Sequence, residues 1–222
     1  NRYVVNDGVA SLADAQSEVT YGIQSSQKVG PTMADDIKIS AVIAVLIAML
    51  GIGLYIFLRF SRLAYSGGAL VALAHDTLFI LLLYCILPLT GIVPFSLEVD
   101  QSFIAAILTV IGYSINDKVV IFDRIREFIR NRKGADFNKQ DVFNSAISST
   151  LSRTFSTSLS TLIVLVIIFF FGGETIRGFI FAMLIGVIVG TYSSIFIAAP
   201  FACKYYSAKA DEEEEAKRIE KE

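Results

Sequence analysis

"SFIAAILTVIGYSINDKVVIFDRIREFIR", residues 102–130, decides the fold. Its first half is an apolar run of the kind a bilayer demands. Its second half sets Asn116, Asp117 and Lys118 in a row inside that run, then Asp123, Arg124, Arg126 and Glu127 at its end. An ionisable side chain in hydrocarbon costs about 2.5–3.5 kcal/mol on insertion scales. A span that carries an aspartate in its interior therefore faces protein on that side, and the aspartate asks for a purpose.

Outward from this stretch the chain repeats the pattern. Five runs of about 20 apolar residues are present, each able to cross a core of ~30 Å at ~1.5 Å per residue. The 222 residues are 54% hydrophobic, with a mean hydropathy of +0.61. This composition predicts an all-α polytopic membrane protein. The alternation over ~10 residues that a β-barrel requires is missing. A transmembrane domain is read over 36–203, with spans at 37–58, 67–87, 101–122, 151–171 and 176–201. A polar insert, 123–150, separates the third span from the fourth, and a charged tail, 204–222, ends the sequence. Residues 1–35 are polar and read as the trailing edge of a folded domain entered partway. The chain starts with Asn1, and the expectation is that further sequence once preceded it.

Charge placement predicts orientation. Arg59 and Arg62 lie between the first two spans. Arg124, Arg126, Arg130, Arg132, Lys133 and Lys139 lie in the insert, and Lys204 and Lys209 open the tail. Residues 88–100 and 172–175 contain neither Lys nor Arg. By the positive-inside rule the basic face is cytoplasmic, which puts residues before 36 outside and the C-terminus inside. Cys85 and Cys203 then fall on opposite faces as free thiols. Ile125, Phe128 and Ile129 recur at i, i+3 and i+4, the stripe of an interfacial helix that Gly134 ends. In the fifth span Ala182, Gly186, Gly190, Ser194 and Ala198 recur every four residues, a small-residue face for close helix packing.

One histidine, His75, cannot make a zinc site, and no metal or cofactor is expected. The sequence has no glycine-rich phosphate loop and no Ser/His/Asp set, which argues against an NTPase or hydrolase. No nucleic-acid partner is expected.

Polar groups enter the spans at three places. His75 and Asp76 lie in the second. Asn116, Asp117 and Lys118 lie in the third. Arg153 lies at the cytoplasmic end of the fourth and heads a stripe of Thr157, Ser160 and Thr161. Asp117 is ~9 Å inside the boundary marked by Asp123. Arg153 starts ~3 Å inside, and its side chain reaches ~6 Å further by snorkelling, so the two heads meet at one level. Arginine keeps its proton whereas aspartate titrates. An Asp117–Arg153 pair is therefore expected, either as a proton gate or as a static pair that fixes helix register. Asn116, His75, Asp76 and Thr157 are candidates for supporting the relay, and His75–Asp76 serves equally as a helix–helix hydrogen bond. Lys118 points ~100° from Asp117 on a helix and is expected to snorkel toward the cytoplasm.

"GYSINDKVVIFDRIRE" (112–127) resembles the signature of the SecF family of protein-export membrane subunits. "AHD" (74–76), "TLSRTFSTSLSTL" (150–162), "FGG" (171–173) and "GTYSSIFIAAP" (190–200) resemble its other helices. "VGPTMADDIKISA" (29–41) resembles the end of its external domain. The resemblance runs from about residue 29 to 204 and implies a SecF subunit, or the SecF half of a fused SecDF chain. It implies five helices of an RND-like bundle plus the C-terminal remnant of a periplasmic α+β domain. It implies residence in the bacterial inner membrane, a SecD partner, the SecYEG channel, a YajC-like accessory, and preprotein substrates drawn out with the proton motive force. It assigns the proton path to Asp117 and Arg153. Lys118 departs from the pattern, where threonine is usual, and leaves the coupling ion open between proton and sodium. An RND-type exporter of small molecules or lipids and a passive translocon scaffold are the alternatives.

Overall fold

The computed structural model describes residues 5–6, 9–10, 31–91, 93, 95, 97–131 and 138–206. The chain divides into two units, Asn1–Asp35 and Asp36–Glu222. In the first, β1 (Val5–Asn6) and β2 (Val9–Ala10) pair antiparallel, with Val5 opposite Ala10 and Asn6 opposite Val9. The remainder of the expected periplasmic remnant before Pro31 lies outside the described residues, as does the tail from 207 onward.

The second unit is helical. Helix α1 (Pro31–Phe60) enters it from the end of the first, and α2 (Leu63–Thr90), α3 (Gln101–Asn131), α4 (Lys139–Phe171) and α5 (Glu174–Ser193) follow. A π-helical segment, Ser194–Ala198, follows α5 and leads into α6 (Ala199–Tyr205). Among the described residues five stretches are long and apolar enough to cross a membrane, the last running from Glu174 to Tyr205.

Local chemistry sets the helix ends. Asp100 opens α3 by accepting from the Phe103 amide at 2.9 Å and from the Ser102 hydroxyl at 2.6 Å. Asn138 caps α4 by accepting from the Gln140 amide at 3.0 Å. Such caps satisfy amides that have no partner inside the helix. Gly91 ends α2 in the left-handed region at φ 64°, where a glycine carries no Cβ penalty.

Helices α3 and α4 overrun the expected spans. The polar insert is largely their two ends, with 132–137 outside the described residues. The stripe expected to lie on the interface packs on protein instead: Ile125 is fully buried, and Phe128 and Ile129 pack against the same cluster. The reason is that α3 continues straight into its polar end, where Phe143 and Ala146 of α4 belong to that cluster too.

Two apolar clusters fill the bundle. One contains Phe60, Tyr65, Phe122, Ile125, Phe143 and Ala198. The other contains Leu73, Ile80, Phe103, Val110, Leu165 and Val187. On α3, α4 and α5 the buried polar residues fall between the stretches that enter the two clusters, and on α2 Asp76 falls between Leu73 and Ile80. Along α3, α4 and α5 the bundle thus has a polar layer between apolar ones, and Asp76 meets it from within the second cluster. In contrast, Ile39, Val42, Leu46 and Leu50 of α1 are exposed, an apolar face suited to lipid.

Helix α3 packs most extensively on α5. The small-residue face permits it. Ala182, Gly186, Gly190, Ser194 and Ala198 are all buried. A Cβ on Gly186 would overlap the Val110 side chain, and one on Gly190 would lie 2.8 Å from Ser114 Oγ. Gly68 of α2 does the same at the π-helical segment, where a Cβ would lie 2.7 Å from the Ala198 carbonyl oxygen.

Candidate functional site

The polar layer is built from four helices. Asp76 comes from α2, Ser114, Asp117 and Lys118 from α3, Ser158 from α4, and Thr191 and Ser193 from α5. All seven are buried.

Lys118 does not reach for the membrane edge. Its side chain is fully buried and its Nζ donates to Asp76 Oδ2 at 3.2 Å. It also donates to Ser193 Oγ at 3.2 Å and to Ser114 Oγ. The expectation of snorkelling is corrected. About one and a half turns of helix separate Lys118 from Asp123 at the polar end of α3, while an acid on α2 lies within reach of its head.

Every hydrogen-bonding group in this cluster is used. The three ammonium protons have three acceptors. Ser114 and Ser193 each donate to Asp76 Oδ2, at 2.8 and 2.9 Å. The second carboxylate oxygen, Oδ1, lies 3.3 Å from His75 Nδ1. A buried ion pair offsets its desolvation only when its remaining lone pairs and protons are satisfied, and this one meets that condition. His75 itself is partly exposed and lies against the rings of Phe79 and Tyr192.

Asp117 is the opposite case. It is 3% exposed, and its Oδ2 is buried with no hydrogen-bond partner. The hydroxyls nearest it are those of Ser158 and Thr191. They bond each other at 2.7 Å, and Thr191 Oγ1 donates to the Val187 carbonyl at 2.8 Å. With the Thr191 proton on Val187, the Ser158 hydroxyl has one proton to place between Thr191 and the Asp117 carboxyl. Thr154 Oγ1 on α4 is also buried without a partner. Asp117 Oδ2 can therefore gain or lose a proton without breaking a hydrogen bond of its own.

The expected Asp117–Arg153 ion pair is not formed among the described residues. The cations whose charge acts on Asp117 are Lys118 and Arg153, but Arg153 is exposed on α4. The stripe it heads is exposed or half-buried: Thr157 bonds back to the Arg153 and Thr154 carbonyls, and Thr161 meets Tyr113 Oη at 3.3 Å. Asn116 is exposed on α3, one turn from Gly112, where a Cβ would meet nothing within 4 Å. The buried polar stripe of α4 is Thr150, Thr154 and Ser158. It is offset by one residue, or ~100°, from the stripe expected.

Sequence reasoning missed Ser114, Ser158, Thr191 and Ser193. A signal existed for Ser114, four residues before Lys118 and so on the same helix face. The run "GTYSS" carried another, four hydroxyl groups within an apolar span.

Comparison with known proteins places this geometry. The family model described as protein export membrane protein SecD/SecF, C-terminal, matches residues 9–208. A protein translocase subunit SecF of Rhodothermus marinus is 52% identical over 172 residues, covering 78% of this chain and 54% of that protein. The SecF of Thermodesulfovibrio yellowstonii is 42% identical over 178 residues, covering 80% and 56%. A crystal structure of SecDF in a super-membrane-facing form superposes with a TM-score of 0.66 at 32% identity, covering 89% of this chain and 24% of that one. The chain spans about half the length of the curated relatives it matches. With its five apolar helices and this match over nearly its whole length, the chain is a multi-pass membrane protein that belongs to the SecD/SecF C-terminal family of protein export membrane proteins.

Proposed function

We propose that this chain is the membrane bundle of a SecF-type accessory subunit of the Sec translocase, one that uses the proton motive force to promote preprotein export across the bacterial inner membrane. The observation that carries the reading is Asp117: a carboxylate in the polar layer of a membrane bundle, with Oδ2 unpartnered, beside a second acid whose bonds are all taken. A proton carrier must change state without dismantling the fold. Asp117 meets that requirement and Asp76 does not.

SecD is the partner the outer face supports. Asn116, Arg153, Thr157 and Ser160 lie exposed on α3 and α4 at depths where lipid would not solvate them, and Gly112 leaves room for a helix to approach. A bundle of the same kind with a carboxylate facing Arg153 fits that surface, and the similar solved protein is a SecDF. Arg153 then works at the seam between two bundles, within electrostatic reach of Asp117. The SecYEG channel and a YajC-like accessory are further partners of this reading, with residues before 36 periplasmic and the C-terminus cytoplasmic.

A passive scaffold draws support from the saturated Asp76–Lys118 cluster, which holds three helices in register. The two readings separate on Asp117→Asn in the full-length protein assembled with its translocon in vesicles. The relay reading expects loss of gradient-dependent stimulation of preprotein export, with insertion and abundance unchanged. Normal stimulation by the gradient would leave the scaffold.

A further inference from the structure

The Lys118 cluster has the form of a cation site that is already filled. Three oxygens from three helices surround Nζ: Asp76 Oδ2 on α2, Ser114 Oγ on α3 and Ser193 Oγ on α5. The Ser114 proton goes to Asp76 Oδ2 and the Ser193 proton to Asp76 Oδ2 or the Gly190 carbonyl, so both serine oxygens have lone pairs for the cation. The cradle carries one formal negative charge from Asp76 and holds the single positive charge of the ammonium. All of it is buried, Ser114, Lys118 and Ser193 between the two apolar clusters and Asp76 within the second. Hard cations select this donor set, a carboxylate with neutral oxygens.

We propose that the Lys118 ammonium is a tethered cation occupying an oxygen cradle on Asp76, and that it is the specificity-determining residue that keeps free sodium out of the bundle. Because the ammonium is covalently attached, it competes for the cradle at an effective concentration fixed by its own side chain and not by the solution. Asp117, one position away on α3, is left as the acid open to a solvent cation, and the small unpartnered Oδ2 site suits a proton. This last step rests on the relay reading above; the cradle itself does not.

The test uses the purified full-length protein in nanodiscs, as wild type, Lys118→Ser, and Lys118→Ser combined with Asp76→Asn. Saturable binding of radioactive sodium and thermal unfolding in sodium against N-methylglucamine chloride are measured on each. The wild type is expected to bind no sodium and to unfold at the same temperature in both salts. Lys118→Ser is expected to gain stoichiometric sodium binding and a melting temperature that rises with sodium, since a ligand specific to the folded state stabilises it by mass action. The added Asp76→Asn should abolish both gains. A static staple predicts neither gain. Wild-type protein that binds sodium through Asp76 overturns the inference, as does a folded Lys118→Ser that binds none. A Lys118→Ser protein that unfolds regardless of sodium concentration overturns it as well, because the cradle then does not accept a free ion. Failure of the relay reading shows instead in export by Asp117→Asn, which leaves sodium binding by Lys118→Ser intact.

Discussion

Lys118 Nζ on α3 lies 3.2 Å from Asp76 Oδ2 on α2, and this pair, not one with the adjacent Asp117, neutralises the buried lysine. Helical geometry separates the two acids' roles. Consecutive side chains on α3 diverge by ~100°, so Lys118 turns into the seam with α2 while Asp117 turns toward Ser158 of α4 and Thr191 of α5.

The pair should behave as a unit in stability. Removing one partner of a buried pair typically costs about 3–5 kcal/mol, because the other charge is left uncompensated. Asp76→Asn alone, measured by thermal unfolding in detergent without added sodium, is expected to fall in that range. Combining it with Lys118→Met should recover most of the loss, because no charge then remains in the cluster. Additive losses in the double variant would show that the two side chains do not act on each other.

Asp117 should be far more tolerant. Asparagine keeps its volume, and no hydrogen bond to Oδ2 exists to be broken. The expected change in unfolding free energy for Asp117→Asn is under about 1 kcal/mol, the scale of one net hydrogen bond. A loss as large as that of Asp76→Asn would mean that Asp117 is a structural group.

The α3–α5 seam sets a steric limit. Gly186→Ala places a methyl against Val110, and overpacking of this kind costs roughly 1–3 kcal/mol. Val110→Ala in the same chain should restore stability by removing the colliding methyls. The same methyl at Gly112 meets open space and is expected to leave the bundle's own stability unchanged while weakening association with the proposed SecD partner, measured by co-purification.

Orientation follows from labelling. In a background of Cys85→Ala and Cys203→Ala, a cysteine at Val99 should react with a membrane-impermeant thiol reagent added outside intact cells. A cysteine at Lys139 should react only after the membrane is opened. Both residues are exposed in the fold, so access is governed by the membrane alone. The reverse pattern would invert the proposed direction of export.

The sequence by itself determined the five spans, because hydrocarbon imposes a length and a composition that can be counted along the chain. It also marked where charge enters those spans, since Asp76, Asp117 and Lys118 are anomalies against an apolar background. Only the tertiary structure decided who meets whom. Lys118 and Asp76 are separated by 42 positions, and Ser193 and Asp76 by 117. Which helix faces carry them together depends on how closely α2, α3 and α5 approach, and that is set by Gly68, Gly186 and Gly190 against Ala198, Val110 and Ser114. Depth estimates brought Asp117 and Arg153 to one level but carried no information on azimuth. A helix face turns ~100° per residue, so the stripe through Arg153 and the buried stripe through Thr154 are indistinguishable by depth and differ entirely in what they touch.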